Sequence, residues 1–188
     1  MRSSPHLKLA KRYWEDLLSV GDVAIDATCG NGHDTLFLAK KPLSYLLAID
    51  IQLAALESAK TLLKTHLSEE EQKRVIFTQA SHEKLDQFHL PAPPRLIVYN
   101  LGFLPGGDKS VTTKTESTIA SISSALSILA PLGAVSITCY PGHEEGKKEE
   151  EALLHFARSL SQTEWEVCFH RWINKPPLSP NLLWIKRL

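Results

Sequence analysis

The stretch DATCGNGHDT, residues 26–35, decides the fold of this chain, because it joins an apolar run to a helical pattern through two glycines. The run before it, Val23–Thr28, is apolar along almost its whole length, as in a strand buried on both faces of a sheet. Glycines at a strand-to-helix turn let a ligand approach the backbone, and the helix start offers unpaired N–H groups. The turn therefore predicts a cofactor site at the carboxyl end of a parallel strand.

Further apolar runs follow this turn and alternate with helical patterns. The predicted strands are Tyr45–Asp50, Val75–Ala80, Leu96–Asn100 and Ala134–Tyr140. Apolar residues recur at helical spacing over residues 53–67 and 119–129, so each segment can place one stripe on a sheet. This alternation predicts an α/β fold with a mostly parallel sheet and helices on both faces.

The two ends of the chain have different patterns. Residues 7–17 have helical spacing, and we expect this opening helix to end at Gly21-Asp22. Near the C-terminus, Trp165–Ile173 and Leu182–Lys186 have strand character, and a short Pro-rich connection joins them. Because that connection is too short for a crossover helix, the last pair of strands should be antiparallel.

Composition narrows the class of protein. The chain has 188 residues, 43% of them hydrophobic and 22% charged, which predicts one globular domain over residues 1–188. Lys plus Arg and Asp plus Glu both total 21, so the formal net charge is zero. The chain therefore has no overall electrostatic field of the kind that indicates a nucleic-acid or membrane binder. The three cysteines are widely spaced without a C-x-x-C pair, which predicts neither a disulfide framework nor a metal site. We expect a cytoplasmic protein that does not enter a membrane.

The residues around the turn distinguish two cofactors. Asp50 lies 20 residues after Gly30, at the end of the second strand, where its carboxylate can accept hydrogen bonds from ribose hydroxyls. An NAD(P)-dependent oxidoreductase shares these features but needs a third glycine for the pyrophosphate, and none follows Gly32 at that spacing. S-adenosylmethionine has no pyrophosphate, and Asp26 and Asp34 suit its charged groups. The sequence therefore favours the methyl donor, with the oxidoreductase as the alternative.

Two further stretches give a family resemblance. With the glycine turn, NLGFLPGGDKS at 100–110 and YPGHEEG at 140–146 resemble small bacterial class I methyltransferases labelled rRNA methylases. Better-defined members of that family methylate the 5-aminomethyl group of 5-aminomethyl-2-thiouridine at the tRNA wobble position. The resemblance runs from about Gly21 to the C-terminus and implies a seven-stranded sheet with an antiparallel last strand. One departure is Pro141-Gly142-His143, where the family commonly has a His-Gly-His-like element.

The resemblance also implies which residues bind the methyl donor. By position they are Gly30, Asn31, Asp50, Gln52, Ser81 and His82. Transfer to an amine needs preorganised acceptors that aim the lone pair, and the Asn100 side-chain carbonyl with the Leu101 backbone carbonyl is the catalytic candidate. The amine must also lose a proton before attack, and Asp108 and His143 are the candidate proton acceptors. Cys139 is interpreted as a core residue and not as a nucleophile.

The resemblance implies tRNA, contacted at its anticodon region, as the partner. Candidate contacts to phosphates and bases are Lys109, Lys114, Lys147, Lys148, Arg171 and Lys175, with Phe103 or Trp172 for base stacking. The sequence does not give the oligomeric state; a homodimer is one candidate, since small enzymes that act on tRNA often pair to widen the contact surface. Alternatives left open are methylation of rRNA or of a small amine, and a binding protein that keeps the fold without activity.

Overall fold

The computed structural model describes residues 4–102 and 113–188. Its strands are β1 Val23–Asp26, β2 Tyr45–Asp50, β3 Val75–Gln79, β4 Leu96–Asn100, β5 Ala134–Cys139, β6 Trp165–His170 and β7 Asn181–Arg187. Its helices are α1 Pro5–Leu17, α2 His33–Ala39, α3 Leu53–His66, α4 Glu69–Lys73, α5 Thr115–Ile128 and α6 Glu144–Arg158. A 3₁₀ segment covers His82–Gln87.

The strands form a seven-stranded sheet in the order β3-β2-β1-β4-β5-β7-β6. Strands β1 to β5 pair in parallel, whereas β7 is antiparallel to both β5 and β6. The predicted fold class and the antiparallel final pair are both confirmed. The chain winds outward in one direction from β1 and in the other from β4, so the carboxyl ends of these two neighbours flank a topological switch point, where open α/β sheets place ligands.

Alternate residues of the central strands belong to two hydrophobic layers, one on each face of the sheet. Ile25 and Ile97 belong to the layer that packs under α5, α6 and the 3₁₀ segment. Ala24 and Val98, their neighbours along the same strands, belong to the layer that packs under α1, α2 and α3. Because both faces of the central strands are covered, these strands need apolar residues at every position, as their sequence shows.

The structure differs from the sequence prediction at several elements, and β6 ends at His170 where the prediction extended the strand to Ile173. Strand β3 lies at the sheet edge, so it is not buried on both faces, and Ile76 is 42% exposed. Helix α1 ends at Leu17, earlier than predicted, because Leu18 is extended. Helix α6 was not predicted, since charged residues dominate its first two turns and hide its apolar stripe. In the described parts of the chain, none of the helices combines the length and apolar character that a membrane span requires.

Candidate active site at the carboxyl edge of the sheet

The glycine turn after β1 is shaped by a close approach between two helices. Gly32 precedes α2 with φ 82°, in the left-handed region that glycine tolerates. A Cβ at this position would lie 2.6 Å from the Cβ of Ala59 on α3. Gly32 therefore serves both the turn conformation and the packing of α2 against α3.

The Gly32→Ala variant should be less stable than a matched Gly21→Ala variant. Both glycines have positive φ, so both substitutions carry the cost of a left-handed alanine, about 1–2 kcal/mol. Only the Gly32 variant also overlaps a neighbour, since a Cβ at Gly21 meets nothing within 4 Å. Overpacking adds about 1–3 kcal/mol. Urea unfolding of the two variants checks the difference, and equal free energies of unfolding would show that the Ala59 contact relaxes without cost.

Asp50 ties the turn to the end of β2. Its Oδ2 accepts the Gly30 N–H at 2.8 Å, and its Oδ1 accepts the Gln52 N–H at 2.9 Å. A carboxylate has about four lone-pair sites, so two accepted bonds leave capacity for further donors such as ribose hydroxyls. Ser81 and His82, after β3, line the same cavity as Asp50.

Asp26 supports the turn from beneath. Its carboxyl is 1% exposed and accepts the Thr35 hydroxyl at 2.6 Å and the Thr28 N–H at 3.3 Å. Burial, with the nearby charge of Asp34, raises the pKa of Asp26 to about 7. The sequence interpretation placed Asp26 among the donor-binding residues, whereas the structure buries it behind the surface that a ligand would touch.

The raised pKa of Asp26 predicts a pH dependence of stability. The folded state favours the protonated carboxyl, so as pH rises from about 4 to about 7 the ionised unfolded state gains relative stability. The free energy of unfolding of the parent should therefore fall across this window relative to that of Asp26→Asn, by a few kcal/mol as an order of magnitude. Urea unfolding from pH 4 to pH 8 measures it. A pH-independent difference would contradict the raised pKa.

Asn100 is held at the end of β4 by its backbone and its side chain. Its N–H donates to the Thr28 hydroxyl at 2.7 Å, across the boundary between β4 and the turn. Its Nδ2 donates to Asp34 Oδ2 at 3.2 Å. The other oxygen of Asp34 forms an ion pair with Lys11 of α1 at 3.2 Å. Asn100 is therefore held by the turn after β1 through Thr28 and by α2 through Asp34, which is itself held by Lys11 of α1.

Tyr140 borders the same group from the end of β5. Burial, with the charge of Asp34, raises the pKa of Tyr140 to about 12, although a hydrogen bond from Asn100 lowers it in part. Its hydroxyl lies 3.5 Å from His6 Nε2, and the two rings meet edge to face. Burial lowers the pKa of His6, so its ring favours the neutral form beside this hydroxyl.

Gly102 and Thr113, which flank residues 103–112, are hydrogen-bonded to each other. Gly102 N–H donates to the Thr113 hydroxyl at 3.0 Å, and Thr113 N–H donates to the Gly102 carbonyl at 3.2 Å. Glu149 of α6, which is 2% exposed, accepts the Thr113 hydroxyl at 3.1 Å and the Thr118 hydroxyl at 2.6 Å. This clamp fixes the two ends of a segment whose sequence contains Asp108, which lies outside the described residues.

His143 begins α6 as its N-cap. Its Nδ1 accepts the Gly146 N–H at 3.0 Å, so in the neutral ring the proton resides on Nε2. Taking up a second proton would require loss of this cap bond. The geometry thus assigns His143 a structural role in the helix start, which competes with the predicted role as proton acceptor.

These groups surround a cavity of about 520 Å³ at the carboxyl edge of the sheet. The predicted site residues that line it are Gly30, Asn31, Asp34, Asp50, Gln52, Ser81, His82, Asn100 and His143. Asp26 lies behind it. Asp34 and Asp50 give the wall acidic character, which suits a cationic ligand. No metal-binding cluster of His, Cys, Asp and Glu occurs among residues 4–102 and 113–188.

The candidate RNA contacts are distributed unevenly. Lys114 lines the cavity mouth, at the N-cap of α5. Lys147 and Lys148 form ion pairs with acidic residues of their own helix. The connection between β6 and β7, residues 171–180, contains exposed Arg171 and Lys175 and half-buried Trp172. Phe103 and Lys109 lie outside the described residues.

The sequence interpretation missed several residues at this site. Tyr140 could have been found by the signal that found Asn100, since both are polar residues where a parallel strand ends. His6 and Lys11 gave no signal, because their contacts depend on where α1 docks. Cys139 lies in the core, as the sequence predicts: it is 2% exposed, and burial raises its pKa well above the usual range.

Comparisons with known proteins place this geometry in a family. The protein-family model described as "Putative rRNA methylase" matches residues 46–186. The curated "tRNA (mnm(5)s(2)U34)-methyltransferase, chloroplastic" of Arabidopsis thaliana is 35% identical over 187 residues, which cover 95% of this chain and 68% of the relative.

Two solved structures resemble the whole chain. A "putative rRNA-methylase" from Clostridium thermocellum has a TM-score of 0.91 at 29% identity, with each chain covered completely. A "putative methyltransferase" from Streptococcus mutans, solved in complex with SAH, has a TM-score of 0.87 at 30% identity, again over 100% of both chains. The predicted family and the class I methyltransferase fold are thereby confirmed, and the chain belongs to the rRNA methylase family.

Proposed function

We propose that this methyltransferase transfers a methyl group from S-adenosylmethionine to the primary amine of the 5-aminomethyl group on the wobble uridine, or 2-thiouridine, of tRNA. The observation that carries the proposal is the fixed Asn100 beside the glycine turn and Asp50, in a chain 35% identical to a tRNA methyltransferase with wobble-uridine specificity in its name. The acceptor is an amine, so the site must bind a group that becomes positively charged on methylation. It must also direct the lone pair of that amine at the methyl group.

The residues present fit the methyl donor. S-adenosylmethionine supplies a methyl group on a sulfonium, together with a ribose and an α-amino acid. Asp50 keeps free lone pairs beside the turn for ribose hydroxyls. Ser81 and His82 line the wall where we place the adenine, and Gly30, Asn31 and Gln52 line the wall near the ribose and amino acid. The acidic wall favours a ligand with positive charge.

Asn100 and Leu101 are the groups that we assign to the acceptor amine. Both line the cavity at the end of β4. Carbonyl oxygens from the Asn100 side chain and the Leu101 backbone can accept the two N–H bonds of a neutral amine, which leaves the lone pair directed at the methyl group. Positive charge moves to the amine nitrogen during transfer, and preorganised oxygens stabilise it.

The amine must lose a proton before it attacks, because a primary alkyl amine has a pKa near that of lysine, about 10.4. Asp108 stays a candidate acceptor in this proposal. His143 would have to release the Gly146 N–H to serve, so we assign it the smaller share of this role.

The proposed tRNA surface surrounds the cavity mouth and receives the anticodon region. We include Lys114 in this surface because it is exposed and lines the cavity. Arg171 and Lys175, in the β6–β7 connection, extend this surface. That connection passes close to the residues before α6, since the Leu178 carbonyl would lie 3.8 Å from a Cβ at Gly142. Contacts to phosphates make binding salt-dependent, so tRNA affinity should fall as ionic strength rises.

The remaining parts of the proposal concern the state of the protein. We take residues 1–188 as one domain that acts in the cytoplasm, where Cys29, Cys139 and Cys168 stay reduced. A homodimer would widen the surface offered to tRNA. Sedimentation with and without tRNA tests it.

Nucleoside analysis of a strain that lacks this gene tests the proposed substrate. Mass spectrometry of bulk tRNA should show accumulated 5-aminomethyl-2-thiouridine and loss of its methylated form, restored by the parent gene. Loss of a methyl group from rRNA with normal wobble nucleosides would instead favour rRNA methylation. Normal tRNA and rRNA pools would favour a small amine substrate or a protein without this activity.

A further inference from the structure

We infer that Asp34 is a positioning residue, which orients the Asn100 amide so that its oxygen faces the acceptor amine. The inference deepens the proposed function and rests on it for the identity of the acceptor. It also assigns Asp34 a different role from the donor-binding role that the sequence suggested.

The orientation follows from the hydrogen-bonding capacity of the two side chains. The Asn100 amide has a donor end, Nδ2, and an acceptor end, Oδ1, whereas an ionised carboxylate only accepts. Nδ2 donates to Asp34 Oδ2 at 3.2 Å. A flipped amide would set two acceptor oxygens against each other, so Asp34 selects one of the two orientations and leaves Oδ1 for another partner.

The surrounding contacts restrict Asn100 to this choice. Its backbone N–H is held by the Thr28 hydroxyl at 2.7 Å, so the strand end does not shift to accommodate a flip. Asp34 is itself held by Lys11, whose Nζ lies 3.2 Å from Oδ1. The Asp34 side chain is only 12% exposed, so little water competes for its oxygens.

The orientation matters because of the chemistry at the acceptor. If the amide were flipped, its NH₂ group would donate a hydrogen bond to the amine lone pair, which is the pair that must attack the methyl group. With Oδ1 presented, the amide accepts an N–H bond and leaves the lone pair free. Asp34 thus affects the rate of transfer through Asn100 and does not need to contact either substrate.

A double-mutant cycle tests this role. In Asp34→Asn, the new amide can present either end to Asn100, and the Tyr140 hydroxyl beside Asn100 can both donate and accept, so the orientation is no longer selected. We expect the single-turnover methylation rate to fall by about tenfold to a hundredfold. Affinity for S-adenosylhomocysteine, measured by calorimetry, should fall by a clearly smaller factor than the rate, because Asp34 adds only charge to the cavity wall and its proposed role does not involve the donor. In an Asn100→Ala background, the Asp34 substitution should change the rate by less than about twofold.

Control variants separate positioning from a general effect on α1 and α2. Glu15→Gln removes the other ion pair of α1, to Lys41 at 2.6 Å, and should keep the parent rate. Lys11→Met leaves Asp34 in place but unpaired with Lys11, so the rate should fall by a smaller factor than in Asp34→Asn. Thermal melting identifies variants that fail to fold, and the cycle is then run with Lys11→Met.

Two results would overturn the inference. A loss of S-adenosylhomocysteine affinity as large as the loss of rate would make Asp34 a donor-binding residue. An equal loss of rate in the parent and Asn100→Ala backgrounds would show that Asp34 acts independently of Asn100. A parent enzyme that methylates no tRNA would count against the proposed function instead, and the cycle would then be run on the acceptor that the enzyme does methylate.

Discussion

Replacing Asn100 by Ala should lower the single-turnover methylation rate by about 10²–10³-fold, the effect seen when one preorganised group that stabilises developing charge is removed. The side chain lines the cavity and is held by Asp34, so its loss removes an oriented acceptor rather than a mobile one. Donor affinity should stay within about twofold, because Asn100 is assigned to the acceptor. Rapid-quench kinetics with enzyme in excess over tRNA measures the rate, and calorimetry with S-adenosylhomocysteine measures the affinity.

A matched substitution controls for loss of an amide. Gln162 is exposed and lies in the connection that leads into β6, at the sheet edge opposite the site, so Gln162→Ala should behave as the parent. If Asn100→Ala kept a rate within a few-fold of the parent, the assignment of the acceptor site to the end of β4 would be wrong.

Replacing Asp50 by Ala should weaken S-adenosylhomocysteine binding by about 10- to 150-fold, equivalent to about 1.5–3 kcal/mol for a charge-assisted hydrogen bond. The carboxylate holds the Gly30 and Gln52 N–H groups and is the proposed ribose partner, so its loss removes a ligand and loosens the turn. Calorimetry measures the affinity, and melting without ligand measures the cost to the fold.

Asp22 supplies the control for Asp50, because its carboxylate also accepts a backbone N–H, from Ser19 at 2.8 Å, but at the amino end of β1. Asp22→Ala should keep the parent affinity. An Asp50→Ala variant that binds S-adenosylhomocysteine within about twofold of the parent would contradict the proposed donor site.

Most of the fold could be predicted from local pattern. Residues 26–35 and the apolar runs around them specify a buried parallel sheet, since the nearly continuous apolar character of these runs is a direct result of burial on both faces. The Pro-rich connection near residue 176 predicts the antiparallel end of the sheet through its length alone. Helix α6 was not predicted because its first turns are charged. Glu149, which belongs to that charged run, is in fact buried and accepts hydrogen bonds from two threonine hydroxyls.

The parts of the site that lie at strand ends could be predicted from the sequence. The parts that depend on how α1 packs against the sheet could not. Asn100 and Asp50 meet at one cavity because parallel strands place their carboxyl ends on the same edge. Lys11 and His6 contact the cavity residues Asp34 and Tyr140 only because α1 packs against the sheet, and nothing in their local sequence carries this information. Asp26 is the reverse case: its position in the turn suggested a ligand contact, and tertiary burial gives it a supporting role.

The most direct measurement of the central claim uses purified protein and S-adenosylmethionine with an isotopically labelled methyl group. The acceptors are bulk tRNA and rRNA from a strain lacking the gene, digested to nucleosides after reaction and analysed by mass spectrometry. We expect the label in 5-methylaminomethyl-2-thiouridine from tRNA, with Asn100→Ala giving little label in the same time. Label in an rRNA nucleoside, with 5-aminomethyl-2-thiouridine left unmethylated, would contradict the proposed function.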